Sequence, residues 1–150
     1  MPDTVVNGLG FLGVRIDDAE RFALTVSLYR DVLGMDPFRE VPNQLAWFRL
    51  GNGTELHVYG PDDIDHTVFG DRPCIGFLVN DVAAIRRRME AEGVEFLWPT
   101  QHDDAREWAH YRGHDGTIYE LIGPRTTSVE PPVGIEPRDA TASAHQDKPR

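Results

Sequence analysis

The sequence predicts an α+β fold made of two tandem βαβββ modules, and three observations carry that prediction. Residues 9–61 and 73–124 repeat at a constant offset of 63 positions. Gly53-Thr54-Glu55-Leu56-His57-Val58-Tyr59-Gly60-Pro61 lies over Gly116-Thr117-Ile118-Tyr119-Glu120-Leu121-Ile122-Gly123-Pro124, and Phe11–Ile16 lies over Cys74–Val79. A fixed period of this length marks a duplicated supersecondary unit. Within each copy, a run with strand alternation passes into apolar residues at helical spacing and then into further strand-like runs. Glycine-rich turns, Gly51-Asn52-Gly53 and Gly113-His114-Asp115-Gly116, punctuate the last two runs of each copy.

The elements follow in order. Leu9–Ile16 alternates and reads as a strand. Asp17 or Asp18 can cap a helix by accepting from N–H groups of its first turn. Phe22, Val26, Tyr29 and Leu33 recur at helical spacing, and Gly34 supplies the stop. A weaker strand is expected around Pro37–Val41, then strands at Leu45–Leu50 and Thr54–Tyr59. Residues 62–72 link the copies. Ile75–Val79 is the first strand of the second module, Asp81 caps its helix, Val82, Ile85 and Met89 form the stripe, and Gly93 ends it. Glu95–Trp98, Trp108–Arg112 and Thr117–Ile122 are the remaining strands, with Pro99–Ala105 as a surface loop. Residues 1–8 are a lead-in. Residues 125–150, rich in Pro, Ser, Thr and charge, read as a disordered tail.

Alternate strand residues face opposite sides. Leu12, Val14, Ile16, Leu56 and Val58 share one side, as do Ile75, Phe77, Val79, Tyr119 and Leu121; these sets belong under the helices. The other side carries Phe11, Gly13, Arg15, Glu55, His57, Tyr59, Cys74, Gly76, Ile118, Glu120 and Ile122. A merely solvated face rarely holds so much apolar surface, and a plain core rarely holds Arg, His and two Glu. A face that receives a small molecule accounts for both.

Composition narrows the partners. The chain of 150 residues carries 25 acidic and 15 basic side chains, a formal net charge of −10. That balance repels phosphate backbones, so neither nucleic acid nor an anionic membrane is an expected partner. No apolar run approaches a membrane span, and the start of the chain lacks the layout of a secretion signal. The single cysteine, Cys74, cannot form an internal disulfide, which fits a reducing cytoplasm. Arg86-Arg87-Arg88 reads as a helix turn facing water. His66, His102 and His114 fall in loops and are expected to be exposed.

Gly13-Val14-Arg15-Ile16-Asp17-Asp18 before a helix, Tyr29-Arg30-Asp31-Val32-Leu33-Gly34-Met35, the Asp81-Val82 helix start, and His114-Asp115-Gly116 before Tyr119-Glu120-Leu121 together resemble the vicinal oxygen chelate superfamily, also called the glyoxalase/bleomycin resistance protein/dioxygenase family. The first helix carries a few more residues between Asp18 and Tyr29 than the family pattern. The resemblance implies a mixed sheet curled around a cavity, a homodimer, and, in metal-using members, one ligand on the first and last strand of each module. Carried over, those places are Phe11, His57, Cys74 and Glu120. Phe11 cannot bind a metal. His57, Glu120 and Cys74 could hold one divalent ion such as Zn, Mn, Ni or Fe, although thiolate beside carboxylate is an unusual pairing. The alternative is no metal, with His57 and Glu120 as a buried hydrogen-bonded pair in which Glu120 is a base and His57 its partner. An extradiol dioxygenase, needing two histidines and a carboxylate on iron, is disfavoured.

Around that pair, Arg15 either meets an anionic part of a ligand, as the resemblance implies, or bridges to Glu55 or Glu120. Trp47, Trp108 and Tyr59 either stack on an aromatic ligand or serve as core. His110 lies over Trp47 in the repeat and either lines the cavity or is an ordinary surface or core histidine. Two functions stay open: a glyoxalase-like lyase, isomerase or epimerase on an oxygenated substrate with an incomplete or atypical metal site, or a metal-free protein sequestering an aromatic or antibiotic-like molecule.

Overall fold

The structure is a computed structural model and describes residues 5–126. The expected tail falls almost wholly outside them. The chain runs β1 (Val6–Arg15), α1 (Ala19–Ser27), β2 (Asp36–Val41), β3 (Leu45–Arg49), β4 (Glu55–Tyr59), then β5 (Cys74–Val79), α2 (Val82–Ala91), β6 (Glu95–Phe96), β7 (Gln101–His102), β8 (Arg106–Arg112) and β9 (Ile118–Pro124). One curled, unclosed sheet has the order β2-β3-β4-β1-β5-β9-β8-β6, with β7 on β8. The two modules match strand for strand. β1 runs parallel to β4 and β5 parallel to β9, while β1 and β5 pair antiparallel to join the halves.

The helices form where the sequence places their caps. The Asp18 carboxylate accepts from the Arg21 N–H at 2.8 Å, and Asp81 accepts from the Ala84 N–H at 3.0 Å. Each helix covers the apolar side of its own module. Phe22 and Val26 pack on Ala46, Phe48, Leu56 and Val58, flanked by Leu12, Val14 and Ile16. Val82 packs on Val79, Ala109, Tyr111 and Leu121, flanked by Phe77, Ile85 and Met89. Burying each large apolar side chain contributes roughly 1.5–3 kcal/mol. The helix sides follow the alternation in the sequence.

Four expectations need correction. The helical stripe places Leu33 inward, yet Leu33 is 58% exposed. After Ser27 the chain widens into a π-turn over Leu28–Val32, and the Leu33 N–H donates to the Leu28 carbonyl, five residues back. The wide turn takes up extra length and rotates Leu33 off the stripe. β1 begins at Val6 rather than Leu9, because glycine at position 8 (φ 141) lets the strand bulge and continue pairing with β5. Residues 99–105 are not simply a surface loop: Gln101–His102 pairs with β8, and the Gln101 side-chain amide oxygen accepts from the Trp108 indole N–H at 2.7 Å. Arg86 does not merely face water: it lies over the Phe96 ring at 4.5 Å and donates to the Trp98 carbonyl.

Candidate functional site

The side of the sheet away from the helices is closed over by its own residues. Phe11, Trp47, Tyr59, Cys74, Trp108, Ile118 and Ile122 form one buried cluster there. Polar groups are set into it at strand spacing. Glu55, His57 and Tyr59 follow at i, i+2 and i+4 on β4, so all three project from one face. His57 Nε2 lies 3.0 Å from Glu55 Oε1, and Nδ1 lies 2.9 Å from the Tyr59 hydroxyl. Arg106 and Arg49 donate to Glu55 Oε2 at 2.8 and 3.1 Å, which favours the ionised carboxylate. A carboxylate only accepts, so Nε2 of His57 carries the proton and donates. In the neutral ring Nδ1 is then the acceptor of the Tyr59 O–H.

Stacking fixes the ring further. Trp47 lies parallel to His57 at 4.4 Å, and Phe11 meets it edge-on at 4.8 Å. Arg39 covers the other side of the Trp47 neighbourhood, 4.6 Å from the indole centroid.

The second module fills the equivalent cross-strand positions with a different pair. Trp47 sits opposite His57 across β3 and β4, and His110 sits opposite Glu120 across β8 and β9. His110 Nε2 is 3.8 Å from Glu120 Oε2, with both side chains buried. His110 lies inside, facing the Trp98 ring edge-on at 5.5 Å.

His57 and Glu120 are thus both interior, and each is engaged within its own module. Phe11 stands at the seam. The place of a Cβ on Gly76 is 2.7 Å from Phe11 Cβ and 3.2 Å from Glu120 Oε1. Glycine is required there because the β1 and β9 side chains close over that spot. Cys74 is fully buried in the aromatic cluster. Among the described residues no group of three or more His, Cys, Asp and Glu is gathered as metal ligands.

Arg15 forms a salt bridge, but with neither Glu55 nor Glu120. Its guanidinium donates to the Asp63 carbonyl at 2.8 Å, lies 3.7 Å from the Asp63 carboxylate, and reaches Asp17 at 3.2 Å. The linker therefore packs against β1 through Asp63. His66, expected in an exposed loop, is 2% exposed. Asp63 holds His66 through both its backbone N–H and Nδ1, each at 2.9 Å, and the His66 ring stacks on Tyr59 at 3.8 Å. Phe69 follows into the same interior. Residues 62–72 carry no strand pattern and no full helical stripe to announce these inward residues; the hint they do carry is the short i, i+3, i+6 spacing of Asp63, His66 and Phe69. His114 is exposed, as expected for turn chemistry.

At the rim of module two, burial pushes the Tyr111 hydroxyl up to about 12, with Tyr119 acting in the same direction. Asp115 is held below its ordinary value by the Thr117 backbone N–H and then by the Tyr119 hydroxyl, which donates to it at 2.8 Å. That same bond raises Tyr119.

The arrangement can be set beside known proteins. No curated protein sequence matches the chain significantly. Among solved structures, methylmalonyl-CoA epimerase from Mycobacterium tuberculosis aligns with a TM-score of 0.59 and 20% identity, covering 84% of this chain and 93% of that one. A Streptomyces coelicolor methylmalonyl-CoA epimerase variant in complex with 2-nitronate-propionyl-CoA gives 0.56 and 18%, covering 79% and 98%. A glyoxalase/bleomycin resistance protein/dioxygenase superfamily member from Vibrio splendidus gives 0.55 and 16%, covering 77% and 98%. At these identities the likeness establishes the fold alone. The sequence itself matches the family model for the Glyoxalase/Bleomycin resistance protein/Dioxygenase superfamily over residues 8–121. With the duplicated βαβββ sheet and a family match across most of the chain, this protein belongs to the glyoxalase/bleomycin resistance protein/dioxygenase superfamily.

Proposed function

We propose that the interior face is a metal-independent small-molecule site that moves a proton on an oxygenated substrate, an isomerase- or epimerase-type reaction. One observation carries the reading: two carboxylate–histidine pairs, Glu55–His57 within β4 and Glu120–His110 across β9 and β8, one in each module, face one shared interior. Moving a proton off and back onto a carbon beside a carbonyl needs an acid and a base positioned around it. Glu120 is the base, His57 with Tyr59 the proton relay on the other module. Aromatic walls exclude water, which strengthens the polar interactions made with developing charge.

The donor set fits a resident metal poorly. Both ring nitrogens of His57 are already engaged, Phe11 occupies one of the four family ligand places, and Cys74 lies in apolar surroundings. No step is routed through a metal.

The test is deuterium wash-in from D2O, followed by NMR, across a panel of small 2-substituted carbonyl compounds and acyl thioesters. Exchange catalysed by the wild type and lowered at least about a hundredfold in Glu120→Gln and His57→Gln is the expected result. Exchange unchanged in Glu120→Gln removes the proposal, as does loss of exchange on dialysis against a chelator.

The aromatic lining favours a second reading, a binder that sequesters a small aromatic molecule. Tight binding without wash-in on any compound selects it. Either reading includes a homodimer, checked by sedimentation, in a reducing cytoplasm.

A further inference from the structure

We infer that the linker between the modules is a displaceable strap, and that Phe69 at its centre occupies the slot of an aryl ring borne by the ligand. The inference rests on the reading of the interior face as the ligand site and adds the ligand's chemical class and its way in.

The strap touches the interior through three side chains. Asp63, His66 and Phe69 are buried, whereas Ile64 is 80% exposed and Thr67, Gly70, Asp71 and Arg72 are at the surface. Phe69 sits at the end of one short 3-10 turn, Thr67–Phe69. Its ring centroid is 6.1 Å from Tyr59, 5.4 Å from His66 and 6.3 Å from His110. Its Cε2 lies 3.0 Å from where a Cβ on Gly13 would be, so it rests directly on β1. One benzene-sized ring is therefore held between the Tyr59 phenol, the His110 imidazole and the Gly13 floor, with the strap's own His66 beside it. Each of those groups suits a flat aromatic ring carrying a polar substituent.

The turn is built to detach. The Phe69, Gly70 and Arg72 N–H groups donate to the His66, Thr67 and Phe69 carbonyls, bonds that stay within the turn when it moves. Gly70 has φ 64, a conformation glycine adopts freely, directly after the plug. The latches differ in depth. Asp63 with Arg15 and His66 is buried, while Arg72 is an exposed clasp that donates to the Asp115 carbonyl at 2.8 Å and Thr117 Oγ1 at 2.9 Å. A half-open cleft of about 580 Å³, lined by Arg15, Arg21, Thr67, Gly70 and Asp71, already lies along the outer side of the turn. It offers both the approach for a ligand and a path for the turn to swing.

The experiment uses the full chain and phenol as the probe, with cyclohexanol as the non-aromatic control. Binding is followed by NMR titration and hydrogen exchange. Phenol is expected to shift the ring signals of His110 and Tyr59 and to speed amide exchange at 67–72, with cyclohexanol at least about tenfold weaker. Arg72→Gln, which opens the exposed clasp only, should tighten phenol binding about threefold to tenfold by populating the open form. Phe69→Ala should bind phenol tighter still; Phe69→Leu keeps the test open should the alanine form fail to fold. Phenol that shifts His110 and Tyr59 while exchange at 67–72 stays level or slows overturns the strap but leaves the interior site standing. Phenol that binds without shifting those rings removes the interior reading itself. Binding confined to Phe69→Ala, equal binding of cyclohexanol, or no binding in any form each overturns the inference.

Discussion

Replacing Glu55 by Gln keeps the side chain's shape and removes its charge at the point where three donors converge. Glu55 is 3% exposed, with Arg106 at 2.8 Å and Arg49 at 3.1 Å on one oxygen and His57 at 3.0 Å on the other. Hydrogen bonds to charged groups contribute roughly 1.5–3 kcal/mol and neutral ones roughly 0.5–1.5. Glutamine keeps one acceptor oxygen and puts an NH2 group in place of the other, so each bond that relied on the carboxylate charge loses about 1–1.5 kcal/mol. The Arg49 side chain is 53% exposed, and water screens its share to almost nothing. Arg106, at 30%, and the buried His57 keep theirs. Their sum is a loss of about 2–3 kcal/mol. Urea titration should show a lower midpoint with an unchanged slope. The substitution also removes the acceptor that fixes the proton on Nε2 of His57, so ¹⁵N shifts of the ring should show the two tautomers mixing. A midpoint within 0.5 kcal/mol of wild type (about the scatter of surface substitutions), together with an unmoved tautomer, would falsify the account of β4.

Two further predictions concern packing and pH. Gly76→Ala puts a methyl 2.7 Å from Phe11 Cβ and 3.2 Å from Glu120 Oε1, so it should cost about 1–3 kcal/mol in chemical denaturation and disturb the His57 ring signals through Phe11; an unchanged midpoint refutes the tight seam. Tyr111 has a folded value of about 12 against an ordinary 10.0, so the folded chain holds its proton longer than the unfolded one. Its contribution is intact below pH 10 and is lost as pH climbs through 12, by at most about 2–3 kcal/mol. Tyr111→Phe should flatten that alkaline decline, and an equally steep decline in the variant refutes the assignment.

Much of this architecture is legible in the sequence because the 63-residue repeat sets the register. It placed His110 over Trp47 and Glu120 over His57, and those positions are cross-strand pairs within their modules. Alternation then assigned the helix side and the interior side. What escaped had no period to betray it. The π-turn obeys an i+5 spacing, whereas helical periodicity of about 3.6 places Leu33 inward. Arg15 had its interior direction read from parity, but its partner Asp63 lies 48 residues away in a linker with no strand or helix pattern. His66 and Phe69 were hidden for the same reason. Two or three inward side chains in an irregular segment carry no signal until the strands they cover are known.

The pairing of β1 has one more consequence. This strand is hydrogen-bonded on one edge to β4 of its own module and on the other to β5 of the next. Cutting the chain in the linker leaves two halves that each expose a bare strand edge and half of a shared interior. Neither piece should hold its native form in isolation; mixed together, they should rebuild the whole and melt in a single transition. Duplication made two similar parts here, but the fold that resulted is indivisible.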